Sequence, residues 1–258
     1  MSTYFSIIDF DMTLVDILNP GHGQLSIEEF AKKKGVEIIK RTDYGYQFSE
    51  PEAGHEYFGN IDYSKINIMD RMVHTIREDI KRIKRIAEKM NTDFYVCIAT
   101  RGRSDAPNFD NKIEWADRIA QKHLGMDPDK IIVSYIDEAH RDKSKIEIAL
   151  EDMCKAFNYE VGSFEENARS DKFILYNFYD DKGKEHILNI NKIYETFNKH
   201  AKDLLESEKQ EIGTTFIRML KSDLFWWHLN PDVHWFSHAY MSIKKRMAEI
   251  YDDLDIIK

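Results

Sequence analysis

From residue 4 to residue 179, apolar runs of strand length alternate with amphipathic runs of helix length. Strands are expected near 4–9, 94–100, 131–135 and 173–179, with helices near 70–90, 111–124 and 145–157. In the second of the expected elements, Ile76, Ile80, Ile83, Ile86 and Met90 recur at helical spacing. Strands that alternate with helices imply an α/β fold. Its parallel sheet is joined by right-handed crossovers and carries helices on both faces.

Polar chemistry gathers where these strands end. Tyr4 to Ile8 runs into Asp9 and Asp11, with Thr13 after them. Alternate residues of an extended strand face the same way. The two carboxylates are therefore expected to reach one region past the carboxyl end, where open α/β sheets place their ligands. Phe94 to Ala99 ends on Thr100, followed by Arg101, Gly102 and Arg103. Ile131 to Tyr135 is followed by Lys143 and Lys145 in D-K-S-K-I-E-I-A-L. Phe173 to Tyr179 leads into Asp180 and Asp181. Each motif alone has a plainer reading. D-D-K-G at 180–183 suits a polar turn. Lys143 and Lys145 suit a solvated helix start, and Arg101 and Arg103 suit surface charges.

Taken together and in order, D-x-D-x-T, the strand ending in Thr100, the lysine at a helix start and the acidic pair resemble the four signatures of the haloacid dehalogenase superfamily. Most of its members are Mg-dependent phosphohydrolases. The likeness covers about residues 1–190. Within it, T-R-G-R and the helix after it are similar to the phosphatase part of bacteriophage polynucleotide kinases.

The resemblance implies roles. Asp9 would be the nucleophile that forms an aspartyl-phosphate. Asp11 would be the general acid/base. Thr100 would hydrogen-bond a phosphoryl oxygen, and a lysine would neutralise its charge. Two lysines fit that role. Lys145 is favoured because Ser144 suits an N-cap and Lys145 then opens the helix; Lys143 stays a candidate. Magnesium would be held by Asp180, with Asp9 and the backbone carbonyl of Asp11. Asp181 would bind the metal through water or orient the lysine. Arg101 and Arg103 would contact substrate phosphate, as loop arginines can in bidentate fashion.

Composition narrows the partners. No apolar run approaches the ~20 residues that span a bilayer, so no membrane partner is expected. The chain begins almost directly with a strand, with no signal-peptide pattern. Only Cys97 and Cys154 occur, and they read as buried free thiols of a reducing, cytoplasmic compartment. The formal net charge of -9 argues against a protein built mainly to hold polynucleotide, whose backbone needs concentrated positive charge. The basic run Arg77 to Lys89 reads as the solvated face of a helix packed on the sheet. A small phosphorylated substrate, a nucleotide, is the expected partner, with a nucleic acid 3′ end as the alternative. A phosphotransferase uses the same aspartyl-phosphate, and a non-enzymatic scaffold is the remaining alternative.

Two segments fall outside the alternating core. Residues 16–69 form a short insertion after the first signature. Ser26 and Glu29 spell a capping box for a helix running to Lys34. Thr42 to Tyr63 reads as a loop lid carrying Tyr44, Tyr46, Phe48 and His55, aromatics suited either to stacking on a nucleobase or to packing of the lid itself. Residues 191–258 read as a helical C-terminal extension packed on the core, through which the chain could oligomerise. It holds three of the four tryptophans. His228, His234 and His238 have spacing that can bind zinc, though packing aromatics with polar histidine edges suits the segment better.

Overall fold

A computed structural model of the chain describes residues 3–41, 45–89, 91–137, 143–159, 161–162 and 173–180. The expectations for Tyr44, Met90, Asp181, the histidines of the tail and the whole extension at 191–258 lie outside these residues.

The central sheet has four strands in the order β5-β4-β1-β6, all parallel. They are β1 (Thr3–Asp9), β4 (Phe94–Gly102), β5 (Ile131–Asp137) and β6 (Phe173–Tyr179). The intervening helices are α3 (Asp70–Lys89), α4 (Phe109–Leu124) and α5 (Lys145–Ala156). All seven elements start and stop within two residues of the sequence expectation, the two-residue differences being extensions of β4, α4 and β5. The α/β class and the parallel sheet flanked by helices, compatible with a Rossmann-like fold, therefore stand.

The connections β1 to β4 and β4 to β5 run in one direction across the sheet. Right-handed crossovers then put α3 and α4 on the same face, and these two helices touch. The step from β5 to β6 runs the other way, so the same rule puts α5 on the opposite face. Alternation of side chains along a strand supplies apolar groups to both layers. Phe5, Ile7, Ile8, Val96, Cys97 and Ile98 are all at most 1% exposed.

Helix α3 shows why the basic run near its centre does not mark a binding surface by itself. Ile76, Ile80 and Ile83 are fully buried, each contributing about 1.5–3 kcal/mol of burial. Lys81, Arg82 and Arg85 lie on its exposed side. Helix α1 (Ile27–Lys34) carries the expected capping box between Ser26 and Glu29, and Gly35 closes it in a left-handed conformation.

The insertion differs from the expected loop. It forms a hairpin of β2 (Ile38–Arg41) and β3 (Gly45–Phe48), then α2 (Pro51–Gly59). Its strands are too short to show a clear period, while Pro51 at the first turn favours helix. Phe48 is buried and rings Phe30, Tyr57 and Phe58 at centroid distances of 5.6, 5.7 and 6.3 Å. At this position the aromatic packs the insertion itself. His55 lies exposed on α2.

One irregularity in the sheet matters for the site. Phe5 pairs with Leu175, but Ser6 pairs with Asn177, so β6 carries one extra residue at that step. Beyond it Ile8 is level with Tyr179.

Candidate active site

Strand β1 ends at Asp9, and the chain turns at once. Met12 takes a left-handed φ of 63°. The Leu14 and Val15 amides donate to the Phe10 carbonyl at 2.9 and 3.2 Å. Asp11 therefore sits in the turn, not on the strand, so strand alternation does not govern its direction. The two carboxylates reach the same end of the sheet but bind different partners.

Asp9 is 4% exposed and Asp180, directly after β6, is fully buried. Lys145 Nζ donates to Asp9 Oδ1 at 2.6 Å and to Asp180 Oδ2 at 2.5 Å. Thr13 Oγ1 donates to the other Asp9 oxygen at 3.2 Å. Lys145 can do this because Ser144 caps α5. The Ser144 side chain accepts from the Glu147 amide, and the Glu147 carboxylate accepts from the Ser144 amide. The lysine thus opens the helix and is only 2% exposed. Lys143, the other candidate, pairs with Glu151 at 2.8 Å, a contact partly open to solvent.

The carboxylate of Asp11 is gripped separately. Lys112 Nζ, from the first turn of α4, lies 2.5 Å from Oδ2, and Thr100 Oγ1 donates to the same oxygen at 3.4 Å. Tyr63 donates its hydroxyl to Oδ1 at 3.3 Å. Burial, together with the Asp11 charge, pushes the Tyr63 phenol well above its ordinary range, so it remains a donor. Arg101 donates to the Lys143 carbonyl at 3.0 Å. Arg103 makes two bonds to Asp105 on the exposed rim, at 2.8 and 2.5 Å.

Sequence reasoning missed Lys112, Tyr63 and Asp79. The last is 5% exposed on α3 and accepts from Tyr179 Oη at 2.7 Å, which ties down the residue before Asp180. Lys112 had a readable signal. It lies four, seven and eight residues before the buried Ala116, Ile119 and Ala120, so a charged residue falls on the apolar stripe of α4. Tyr63 had none, because it lies within the irregular segment between α2 and α3, where it opens a single short turn.

Among the described residues, no group of three or more His, Cys, Asp and Glu side chains is gathered as a metal cage. Magnesium does not demand one. It commonly takes one or two carboxylates, keeps waters and prefers hard oxygen. The buried pair Asp9 and Asp180 offers that donor type, with the Lys145 ammonium bonded to both. The residues present fit such an ion.

No family model, curated protein or solved structure matches the chain.

Proposed function

We propose that the chain is a Mg-dependent phosphomonoester hydrolase of the haloacid dehalogenase type, acting on a nucleotide through an aspartyl-phosphate on Asp9. The observation that carries this reading is the buried Asp9, Lys145 and Asp180 cluster at the carboxyl ends of parallel strands. Two buried carboxylates around one lysine form a costly arrangement for stability alone. The cost has a purpose if one carboxylate attacks and the other holds a cation.

In this reading Lys145 and Thr13 fix both oxygens of Asp9, so the carboxylate presents itself in a set plane. A carboxylate oxygen of Asp9 bonds to phosphorus as the ester oxygen leaves. Asp11 gives that oxygen its proton. Asp11 then takes a proton from water, whose oxygen attacks phosphorus and breaks the bond to Asp9, releasing inorganic phosphate and restoring the carboxylate. Thr100, fully buried and bonded to Asp11, would turn its one hydroxyl proton from Asp11 to a phosphoryl oxygen. Asp9, Asp180 and the Asp11 carbonyl would hold magnesium, which when bound neutralises charge on the phosphoryl group.

Transfer to an acceptor alcohol in place of water is the second reading, because the same intermediate serves both. A panel of phosphomonoesters, with and without magnesium, tests the proposal. Release of inorganic phosphate that needs both magnesium and Asp9 supports hydrolysis. Absence of turnover across nucleoside monophosphates, sugar phosphates and oligonucleotide 3′-phosphates, with and without an added alcohol, counts against an enzyme of this type and for the scaffold alternative.

A further inference from the structure

The first turn of α4 makes contacts that the reaction scheme above leaves unused. Lys112 is 7% exposed, and its ammonium donates to Asp11 Oδ2 and to the Arg101 carbonyl at 2.9 Å. Its neighbour Asn111 accepts from the Tyr63 amide through Oδ1 at 2.8 Å. Tyr63 in turn bonds the second Asp11 oxygen, and its ring lies 5.7 Å from the Lys112 ammonium and 5.6 Å from the Phe10 ring. Two adjacent residues of one helix turn thus fix Asp11 twice, once directly and once through the insertion.

Lysine is seldom buried unless paired. The pair is largely withdrawn from water, with side chains 9% and 21% exposed, and such an ion pair is also a poor way to gain stability, since apolar replacement is often neutral or better. The cost is more readily understood if Asp11 must be aimed. An orientation error of about 1 Å at a reacting group can cost about 10²-fold in rate.

We propose that Lys112 is a positioning residue for Asp11, holding its carboxyl group toward the leaving oxygen, with Tyr63 as its second support. This rests on the reading of Asp11 as the general acid. When Asp11 gives its proton to the leaving oxygen it becomes a carboxylate, and the Lys112 ammonium is already in place to pair with that charge.

Leaving-group dependence tests it. A p-nitrophenolate leaves without help, whereas an alkoxide needs a proton. The parameter kcat/KM reports steps through leaving-group departure, so it isolates this half of the reaction. In Lys112→Met, kcat/KM for an alkyl phosphate should fall about 100-fold, while that for p-nitrophenyl phosphate should change less than about 3-fold. Tyr63→Phe should show the same split at smaller size, and it removes only a hydroxyl should the first variant fold poorly. Thermal protection by beryllofluoride should persist in both variants, because Asp9 is untouched.

Equal losses on both substrates, no loss on either, or lost beryllofluoride protection would each overturn the proposal. Controls separate this from failure of the underlying reading. If Asp9→Asn is inactive and Asp11→Asn shows the split while Lys112→Met does not, only the role of Lys112 is wrong. If Asp9→Asn retains full activity, the reaction scheme itself is wrong, and the role of Lys112 falls with it.

Discussion

Asp180 and Asp9 each follow directly on a paired residue, Tyr179 level with Ile8, because β6 carries one extra residue where Phe5 and Ser6 of β1 pair with Leu175 and Asn177. Without that step the residue level with Asp9 would be Tyr179, and Asp180 would be level with Phe10. Laterally paired residues of parallel strands face the same side, so the step also sets the face on which Asp180 emerges. Lys145 then bridges the two carboxylates. A β-bulge is a common way to re-aim a side chain beside a functional site.

The two lysines near the start of α5 should differ sharply in stability. Lys145→Met leaves two buried carboxylates without their cation and should cost about 3–5 kcal/mol in metal-free buffer. Lys143→Met removes a pair with Glu151 whose side chains are 37% and 22% exposed, worth no more than about 1 kcal/mol. Urea titrations of both variants in EDTA check this. Comparable losses would mean that Lys145 does not bridge Asp9 and Asp180.

Asp9→Asn should abolish turnover and keep the fold. The amide is nearly isosteric with the carboxylate but cannot act as the nucleophile. Lys145 keeps Asp180 as partner, so no buried charge is orphaned. Asp11→Asn should slow turnover by ~10²–10⁴ through lost proton transfer. Beryllofluoride should raise the Tm of the wild type and not of Asp9→Asn. An Asp9→Asn protein as active as the wild type would remove the aspartyl-phosphate from consideration.

How far the sequence could be read depended on periodicity. The strands of the sheet and helices α3, α4 and α5 were legible because apolar residues recur at strand or helix spacing. Ser144 favoured Lys145 in advance, since an N-cap fixes which residue starts the helix, but it left Lys143 open. The hairpin of the insertion was not legible, because four-residue strands hold too few alternations to separate from a loop. The register step in β6 leaves no local sign in Phe173 to Tyr179, yet it decides what faces Asp9. The grip on Asp11 was half legible: Lys112 lies on the apolar stripe of α4, but only tertiary folding brings Tyr63 to it.

Metal dependence is what the proposed function predicts. EDTA should stop turnover and magnesium should restore it. Calcium should restore it poorly, because its larger and looser shell misplaces the groups around it. Asp180→Asn should weaken the magnesium response while leaving the protein folded, since Lys145 retains Asp9. Restoration by zinc alone, lost in His234→Ala, would move the metal to the C-terminal segment.

Cys97 makes the fold sensitive to alkali. Burial pushes its thiol from 9.0 up to about 12, against the weaker opposing effect of its 3.0 Å contact with Ser134. The folded value is the raised one. The stability this group contributes is therefore complete below pH 9 and is lost as pH rises from 9 toward 12, where only the unfolded chain ionises. At pH 10 the loss is about 1 kcal/mol. Cys97→Ala should be less stable at pH 7 but should lose less on going from pH 8 to pH 10. Chemical denaturation at the two pH values checks the difference, and equal losses in the two proteins would refute it.

Salt should separate a nucleotide from a polynucleotide end as substrate. The net charge of -9 opposes a long phosphate track. Arg103 is bonded to Asp105 on the rim through Nε and Nη2, so part of its charge is already paired before it meets a flanking phosphate. Both observations favour a small substrate, while the resemblance proposed from T-R-G-R at 100–103 would favour a large one. Each phosphate neutralised adds to the fall of binding with salt, with a slope near -0.7 per contact on a single strand. A mononucleotide engages few phosphates, so its KM should rise only weakly between about 50 and 200 mM salt. The expected result is activity on a nucleoside monophosphate with that shallow response, unchanged within about 2-fold in Arg103→Ala. A strong preference for oligonucleotide 3′-phosphates, with steep salt dependence that Arg103→Ala removes, would assign the site to nucleic acid ends instead.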